Sequence, residues 1–269
     1  MCNPKLKKAQ QAMLEIVDAF DRVCKENGIQ YFLSGGSVLG AVRHGGFIPW
    51  DDDIDIGMCR EEYEKFLSCA GKMDGRFYLQ CEDNDPSYPL VVPKIRMKDT
   101  RFVCADYAGN ENIGQELSID IVIYDNVPND PQYRRKHKKQ LNLYDQAVRY
   151  KYGVRQEFGF VKNLIIKLFS LQSAEKLKAK RRSLMKDAHL VNKEPDKYIS
   201  ALLVVLYDKI MYPVEVIRDP VIREDITFEG RKLPVPAEPE KFLEMQFGDY
   251  MKLPAPDKRT AHQIVEIEC

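Results

Sequence analysis

Alternating aspartates in the first quarter of the chain are the residues best suited to do chemistry. Asp53 and Asp55 alternate with Ile54 and Ile56. On a β-strand, a period of two places both carboxylates on one face and both isoleucines in the core. Neighbouring carboxylates repel each other unless a cation lies between them, and oxygen ligands suit Mg²⁺ or Mn²⁺, which also bridge substrate phosphates. The pattern therefore favours a metal-dependent site that acts on phosphate groups.

Two further features fit such a site. Asp120 lies between two isoleucines, and a lone acid inside an apolar strand is costly to bury unless it pairs with a metal or a base. The predicted turn 34–37 contains two glycines and two serines, so its backbone N–H groups can approach a phosphate closely. Three acids from two strands around Mg²⁺ would form a two-metal site for phosphoryl or nucleotidyl transfer.

Each feature also has a simpler interpretation. An acidic run such as 51–53 is typical of a solvated loop or a helix cap, and Asp120 alone could be a satisfied core acid. A calcium loop of the EF-hand type starting at Asp51 would place Ile56 where that loop requires glycine. The glycine-rich turn, the alternating acids and the third acid, in this order, favour phosphate transfer.

The order of these motifs resembles the nucleotidyltransferase superfamily typified by DNA polymerase beta, although the gap from Ser37 to Asp53 is a few residues longer than usual. The stretch 36–56, GSVLGAVRHGGFIPWDDDIDI, is similar to the signature of the LicD family of phosphocholine transferases, which the fukutin-type phosphoribitol transferases share. The likeness continues through nearly the whole chain, at 60–63, 94–96, 99–102, 228–230, 235–236 and 247–250. It also covers 119–121 with Asp125 and Pro128, and Arg259 with His262.

One stretch departs from the family pattern. The family usually has Phe-Pro-Leu between its Ile-Asp-Ile and the next aspartate, whereas this chain has Val122, Ile123 and Tyr124 there. Because the acids are kept, catalysis is expected to be retained while the pocket behind the acids differs.

The resemblance implies a fold and a reaction. The fold class would be α+β, with a nucleotidyltransferase-like mixed β-sheet core, flanking helices and a helical insert. A CDP-alcohol, most often CDP-choline, would donate its phospho-alcohol to a hydroxyl of a glycan or lipid-linked glycan acceptor, and CMP would leave. Asp53, Asp55 and Asp120 would hold Mg²⁺ or Mn²⁺, with two ions expected, and Asp120 is the candidate base for the acceptor hydroxyl.

Positive and aromatic side chains would then bind the donor. The predicted substrate-binding residues are Gly36, Ser37, Arg43, His44, Trp50, Lys94, Arg96, Arg259 and His262. Trp50 could stack on a base, line a choline pocket by cation–π contact, or simply pack its loop onto the core. Without the family context, each has a simpler interpretation. Arg43 could form a surface ion pair, Lys94 could protect a strand edge, and His262 could be a hydrogen-bonded histidine in the C-terminal tail.

Composition narrows the class of protein. The chain has 269 residues, 44% apolar and 30% charged, which is typical of a globular protein with one large domain or two small ones. Because 41 Lys and Arg balance 41 Asp and Glu, a nucleic-acid partner is not expected.

The seven cysteines have no C-x-x-C spacing and residues 1–8 lack the apolar region of a signal peptide, which favours free thiols in the cytoplasm.

Positive charge is concentrated in one segment. Between Arg134 and Lys186, sixteen Lys and Arg face three acids, a net of +13 that leaves −13 on the rest of the chain. Such a segment either pairs within the fold or docks an anionic acceptor at the inner membrane face as an interfacial helix. The apolar residues that would contact the membrane, beside Lys162 and Lys167, are Phe158, Phe160, Leu164, Ile165, Leu168 and Phe169.

Hydrophobic periodicity predicts the elements that would position these residues. Helices are expected at 4–27, 38–42, 60–70, 196–212 and 238–247, with two long helices around a break at 153–159. Strands are expected at 29–33, 54–58, 77–81, 90–97, 100–104 and 117–124, with a strand–turn–strand at 226–235. The chain would divide into a catalytic core (1–130), a basic helical insert for the acceptor (131–212) and a C-terminal α/β segment (213–269) that packs back on the core.

Two other functions would use the same residues. A nucleotidyltransferase would move a nucleoside monophosphate from a nucleoside triphosphate to a small acceptor and release pyrophosphate instead of CMP. A non-catalytic binder of glycans or membranes would need Ca²⁺ without turnover. Product analysis distinguishes the first, and metal titration with activity assays distinguishes the second.

Overall fold

The structure, a computed structural model, describes residues 4–154, 159–201, 210–259 and 264–269. It begins with the helix α1 (Pro4–Glu26), whose apolar residues recur every three or four positions and form a buried stripe from Leu6 to Cys24. The helix is followed by Gly28 at a φ of 62°, a left-handed conformation that glycine adopts at little cost. The predicted first helix is confirmed.

The described strands form one seven-stranded mixed sheet and one two-stranded sheet. In chain order they are β1 (Phe32–Leu33), β2 (Asp55–Cys59), β3 (Phe77–Gln80), β4 (Lys94–Met97), β5 (Arg101–Cys104), β6 (Ser118–Asn126), β7 (Tyr198–Ala201), β8 (Tyr212–Pro213) and β9 (Ile264–Glu268).

The long strand β6 organises the larger sheet. The strand order is β1-β2-β6-β4-β3, in which β2 runs parallel to β6 and the other pairs are antiparallel. Past its contact with β4, the C-terminal half of β6 pairs with β7, and β7 pairs with β8. Helices flank this mixed sheet, so the expected α+β class is confirmed.

The described helices longer than a single turn also include α2 to α6 and α8, while α7 is one turn. Their bounds are α2 (Gly35–His44), α3 (Arg60–Cys69), α4 (Pro131–Lys151), α5 (Phe160–Phe169), α6 (Ala174–Lys186), α7 (Val214–Ile217) and α8 (Pro239–Phe247). None of the helices in the described ranges has both the length and the apolarity needed to cross a bilayer.

The predicted turn at 34–37 is wrong in detail, because these residues start a helix. Ser34 has an extended backbone and precedes the first residue of α2, and Gly35 and Gly36 form its first turn. Glycine is a weak helix former, so its presence concealed this start in the sequence. The helix was expected only from residue 38.

Several predicted strands have different bounds. The strand expected at 90–97 is limited to β4, since Pro89 and Pro93 lack the N–H donors that a strand ladder needs. The strand expected at 29–33 pairs only at Phe32 and Leu33. Strand β6 extends two residues further than expected, because its last three residues pair with β7.

The basic segment contains three described helices, so the expectation of two long ones is wrong. The second breaks between α5 and α6, where Ser173 accepts a hydrogen bond from the backbone N–H of Lys176 at 3.3 Å and caps α6. A serine at this position is a helix-start signal that the charge pattern obscured.

Part of the positive charge of this segment pairs within the fold. Arg181 is fully buried, and its guanidinium contacts Asp145 at 2.6 Å and Glu82 at 2.8 Å. Lys178 donates to the backbone oxygens of Pro86 and Tyr88 at 2.6 and 2.8 Å. These contacts fix α4 and α6 to the chain that follows β3.

The predicted helix at 196–212 is wrong over its described ends. Residues 198–201 form the strand β7, because pairing with β6 overrides local helix propensity, and residues 202–209 lie outside the described part of the chain. The strand–turn–strand expected at 226–235 is a tight turn, closed by an isolated β-bridge between Phe228 and Arg231. A second isolated β-bridge joins Val235 to Val221. Strand β9, which pairs with β5, was not predicted.

The domain boundaries at 130 and 212 stay predictions. The strand β7, from the proposed insert, joins the main sheet beside β6. Strand β9, from the proposed C-terminal segment, pairs with β5 of the proposed core.

Candidate active site

The alternation of aspartate and isoleucine is confirmed at Asp55 and Ile56 of β2, whereas Asp53, which was expected to share a strand face with Asp55, lies in the loop before β2. Ile54 and Ile56 are fully buried, as are Ile119 and Ile121 of β6. The intervening aspartates therefore lie on the opposite face of the sheet from these core residues. Asp55 is the direct neighbour of Asp120 in the parallel pairing of β2 with β6.

The first turn of α2 is fixed against the start of β2. The backbone N–H of Asp55 donates to Ser37 Oγ at 2.8 Å, and the N–H of Ser34 donates to the carbonyl of Asp55 at 2.9 Å. Both bonds hold the N-terminal end of α2, where the helix dipole is positive, beside the carboxylates. The predicted substrate-binding residues Gly36 and Ser37 thus lie next to the predicted acids.

Gly35 and Gly36 allow this close approach. A Cβ atom added to Gly35 would lie 2.6 Å from Asp55 Oδ2, and one added to Gly36 would lie 2.9 Å from Asp51 Oδ2. Both distances are shorter than any ordinary carbon–oxygen contact. A side chain at either position would therefore push a carboxylate away from the helix end, which glycine avoids.

Lys94 on β4 is the third charged residue in a row across three strands, after Asp55 on β2 and Asp120 on β6. It is the partner of Asp120 in the antiparallel pairing of β4 with β6, and its Nζ forms an ion pair with Asp120 Oδ1. The sequence predicted both residues for the site but gave no signal that they are direct neighbours, because strand pairing is non-local.

Negative charge is concentrated around Asp55. Burial raises the pKa of the Asp55 carboxyl well above its usual range, and the charges of Asp53, Asp120 and Asp51 raise it further. The positive charge of Lys94 acts in the opposite direction. This balance favours binding of additional positive charge beside Asp55.

The acidic loop before β2 provides a second set of carboxylates. Asp51, Asp52 and Asp53 each present an oxygen, and the three oxygens lie within 4.8 Å of one another. Sequence reasoning selected only Asp53 from this run as a metal ligand. The structure therefore adds Asp51 and Asp52 as oxygen donors that could hold a divalent ion.

An open pocket adjoins the carboxylates. Asp53, Asp120, Lys94 and Arg96 line one side of it. Phe102, from the family-like stretch 99–102, also lines the pocket, together with residues that the sequence did not single out, among them Cys104, Asp106, Tyr107, Ile113, Gln115 and Glu116. The latter residues come from β5 and the loops around it, and their mixed types carried no motif that could have revealed them.

Arg96 is a fixed part of the pocket wall. It is buried, its Nε donates to Gln80 Oε1 at 2.8 Å, and one terminal nitrogen donates to the carbonyl of Glu116 at 2.9 Å. The same Gln80 oxygen accepts from the N–H of Gly114 at 3.1 Å. A guanidinium held in this way is positioned in advance for an anionic ligand.

The other predicted substrate-binding residues within the described ranges form a separate cluster at the C-terminal end of α2: Arg43, His44, Trp50 and Arg259. Arg43 donates to the carbonyl of Tyr250 at 2.7 Å and to the ring of His44 at 3.0 Å, and the guanidinium of Arg259 lies 5.3 Å from the Trp50 ring centroid. Burial lowers the pKa of Arg43; burial and the charge of Arg43 lower that of His44.

This cluster does not line the pocket, so the structure divides the predicted set into two groups. Trp50 connects them in sequence, because it directly precedes Asp51. His262 lies outside the described residues. The roles of all these residues in binding stay predictions.

Tyr124, which departs from the family pattern, lies further along β6 than Asp120. Its hydroxyl and Ser34 Oγ are 2.8 Å apart and form a buried hydrogen bond. With Gly35, Asp55 and Tyr212 it lines a small cavity.

Comparison with known proteins supports the resemblance drawn from the sequence. A family model described as the LicD/FKTN/FKRP nucleotidyltransferase domain matches residues 28–88, which include the acidic loop and β2. The chain is 31% identical over 270 residues to the lipopolysaccharide cholinephosphotransferase LicD of Haemophilus influenzae, with 97% of each chain covered.

Shorter matches concern parts of the chain. A stretch of 40 residues, 15% of this chain and 8% of the relative, is 52% identical to the ribitol 5-phosphate transferase FKRP of Homo sapiens. An uncharacterized protein of Rickettsia typhi is 38% identical over 154 residues, which is 56% of this chain and 43% of the relative. Because the alignment to the Haemophilus protein spans nearly all of both chains, the protein belongs to the LicD family of phosphotransferases.

Proposed function

We propose that the protein transfers a phospho-alcohol from a CDP-alcohol to a hydroxyl of a glycan or lipid-linked glycan precursor, with CMP as the leaving group. Among the donors we favour CDP-choline, since the relative aligned over 97% of its length is named a lipopolysaccharide cholinephosphotransferase. The ribitol 5-phosphate transferase match supports the broader class of phospho-alcohol transfer.

One observation carries the proposal. Asp55 and Asp120 are direct neighbours on parallel strands, and Lys94 pairs with Asp120 from the next strand. Carboxylates and a lysine are thereby placed beside the positive end of α2 and beside an open pocket. A diphosphate needs both metal-holding oxygens and positive charge, and this arrangement supplies both.

The residues present fit a divalent metal. Asp55 and Asp51 approach the two glycines so closely that a Cβ there would fill the space, and the carboxylates together raise the pKa of Asp55. Hard oxygen donors of this kind suit Mg²⁺ or Mn²⁺. We propose that Asp53, Asp55 and Asp120 hold such ions, two in number. When bound, they would offset the negative charge that develops on the transferred phosphoryl group and on CMP.

The chain's own residues would then orient the reactants. Lys94 and Arg96 present positive charge at the pocket wall, where the diphosphate would bind. Asp120 would accept the proton of the acceptor hydroxyl as the new oxygen–phosphorus bond forms. The bond between that phosphorus and the bridging oxygen breaks at the same time, and the bridging oxygen leaves with CMP.

We place this reaction in the cytoplasm. All six cysteines within the described ranges are free thiols, which is typical of proteins from a reducing compartment.

The experiment is product analysis with a donor panel. The protein is incubated with Mg²⁺, a glycan acceptor and CDP-choline, CDP-ribitol, CDP-glycerol or CDP-ethanolamine, and CMP and the modified acceptor are measured. We expect CMP with at least one donor, most strongly CDP-choline. Release of pyrophosphate from a nucleoside triphosphate, with no CMP from any CDP-alcohol, would instead establish nucleotidyl transfer. Metal binding without either product would instead indicate a non-catalytic binding protein.

A further inference from the structure

Helix α5 carries exposed apolar side chains on the face that is turned away from the described part of the protein. Ile166 is its buried residue, and Phe169 packs on Tyr144 of α4 with ring centroids 5.0 Å apart. The other large apolar side chains of the helix are exposed: Phe160, Val161, Leu164, Ile165 and Leu168. Their exposure is extensive, reaching 84% for Phe160.

These exposed side chains form one continuous surface. At about 100° per residue they cover an arc of about 140°, from Phe160 to Ile165, and this arc lies roughly opposite Ile166. Leu171, just beyond the helix, is 78% exposed and extends the apolar end. A surface helix normally turns its apolar stripe toward the core of its own protein. The apolar stripe of α5 faces outward instead, which is typical of a site that binds a membrane or another protein.

Positive charge surrounds the apolar arc. By the same helical geometry Lys162 lies about 60° beyond one edge of the arc and Lys167 about 20° beyond the other. Both lysines are exposed, as is Lys151 at the end of α4. Lysines at the edges of an apolar face can lay their methylene groups on it and extend their ammonium groups to anionic headgroups.

The charge also disfavours a second copy of the chain as the partner. Pairing two α5 faces would bring Lys162 and Lys167 of both copies together around one apolar contact, and such repulsion opposes association. An anionic lipid surface complements both the apolar arc and the lysines.

We propose that α5 is an interfacial helix that docks the protein on an anionic lipid surface, with the arc from Phe160 to Ile165 inserted at the acyl boundary. Docking would concentrate the protein where a lipid-linked acceptor resides. The proposal concerns binding alone and does not depend on which reaction the acidic site performs.

Vesicle co-sedimentation tests the docking. Wild-type protein should bind vesicles of phosphatidylcholine with phosphatidylglycerol, bind phosphatidylcholine alone much more weakly, and lose binding as salt rises. Leu164→Ser/Leu168→Ser should lower the partition coefficient about tenfold or more, since both side chains are exposed and their loss leaves the core intact. Lys162→Glu/Lys167→Glu should weaken binding to the anionic vesicles in particular.

A matched control uses exposed apolar residues elsewhere. Ile222 and Val265 are 51% and 66% exposed, and Ile222→Ser/Val265→Ser should bind vesicles like the wild type. Wild-type protein that stays in the supernatant at low salt would overturn the proposal. A wild-type dimer that Leu164→Ser/Leu168→Ser converts to a monomer, without vesicle binding, would assign the face to a second copy instead.

Discussion

The contact between Gly35 and Asp55 provides a quantitative test of the active-site geometry. In Gly35→Ala, the new Cβ would lie 2.6 Å from Asp55 Oδ2, and an ordinary contact begins at 3.4 Å. The carboxylate therefore has to move by about 0.8 Å. Because a misplacement of about 1 Å at a reacting centre can cost about 100-fold in rate, we expect kcat to fall about 100-fold, or about 2.7 kcal/mol.

A second glycine separates this effect from backbone strain. Gly35 has a φ of 51° and Gly28 a φ of 62°, so alanine is strained at both positions, at roughly 1–2 kcal/mol of folding stability. An added Cβ at Gly28 meets no atom within 4 Å. Gly28→Ala should therefore lose similar stability but keep its kcat.

The assay measures CMP release from CDP-choline with Mg²⁺ for both variants, and urea unfolding at the same temperature. The expected result is a similar loss of unfolding free energy in both variants, with the loss of kcat confined to Gly35→Ala. Equal kcat values in the two variants would show that the position of the Asp55 carboxylate does not matter for turnover, which would refute the reasoning.

Three other predictions concern Asp120, Tyr124 and Lys178. Asp120→Asn should lower kcat far more than donor affinity, measured by kinetics and calorimetry; lost affinity with normal turnover would make Asp120 a binding residue only. Tyr124→Phe removes the buried hydrogen bond to Ser34 and should lower the unfolding free energy by about 1 kcal/mol in urea. An unchanged midpoint would argue against that bond. Burial lowers the pKa of Lys178 from 10.5 to about 8, so the unfolded chain holds this proton to higher pH. The stability of the wild type relative to Lys178→Met should therefore rise between those pH values, whereas a constant difference would contradict the burial.

The local part of the site could be predicted from the sequence. The period of two at 53–56 placed the isoleucines in the core, and Ile54 and Ile56 are indeed fully buried. The isoleucines around Asp120 supported the same inference for β6. Alternation is a property of a single strand, so one sequence is enough to detect it.

The non-local part could not be predicted. That Asp55, Asp120 and Lys94 are register neighbours depends on which strands pair, and their separation along the chain carries no such information. Similarly, residues 198–201 form a strand because β6 offers them a partner. The pocket wall from β5 and its loops consists of residues brought together only by folding.

The structural role of the buried charges could not be predicted from the sequence either. The net charge of +13 on the basic segment can be counted from the sequence, but the partners of its charged residues cannot. In the structure Arg181 is fully buried between Asp145 and Glu82, which is a structural role, while the face of α5 remains exposed. A net charge alone could not distinguish these two uses within one segment.

The central claim is that the carboxylates beside α2 perform metal-dependent phospho-alcohol transfer. Its most direct test is the initial rate of CMP release from CDP-choline with Mg²⁺ by the wild type, Asp55→Asn and the control Asp83→Asn, whose carboxylate is exposed and outside the pocket. The account predicts that Asp55→Asn loses about 100-fold or more while Asp83→Asn keeps the wild-type rate. A wild-type rate in folded Asp55→Asn would contradict it.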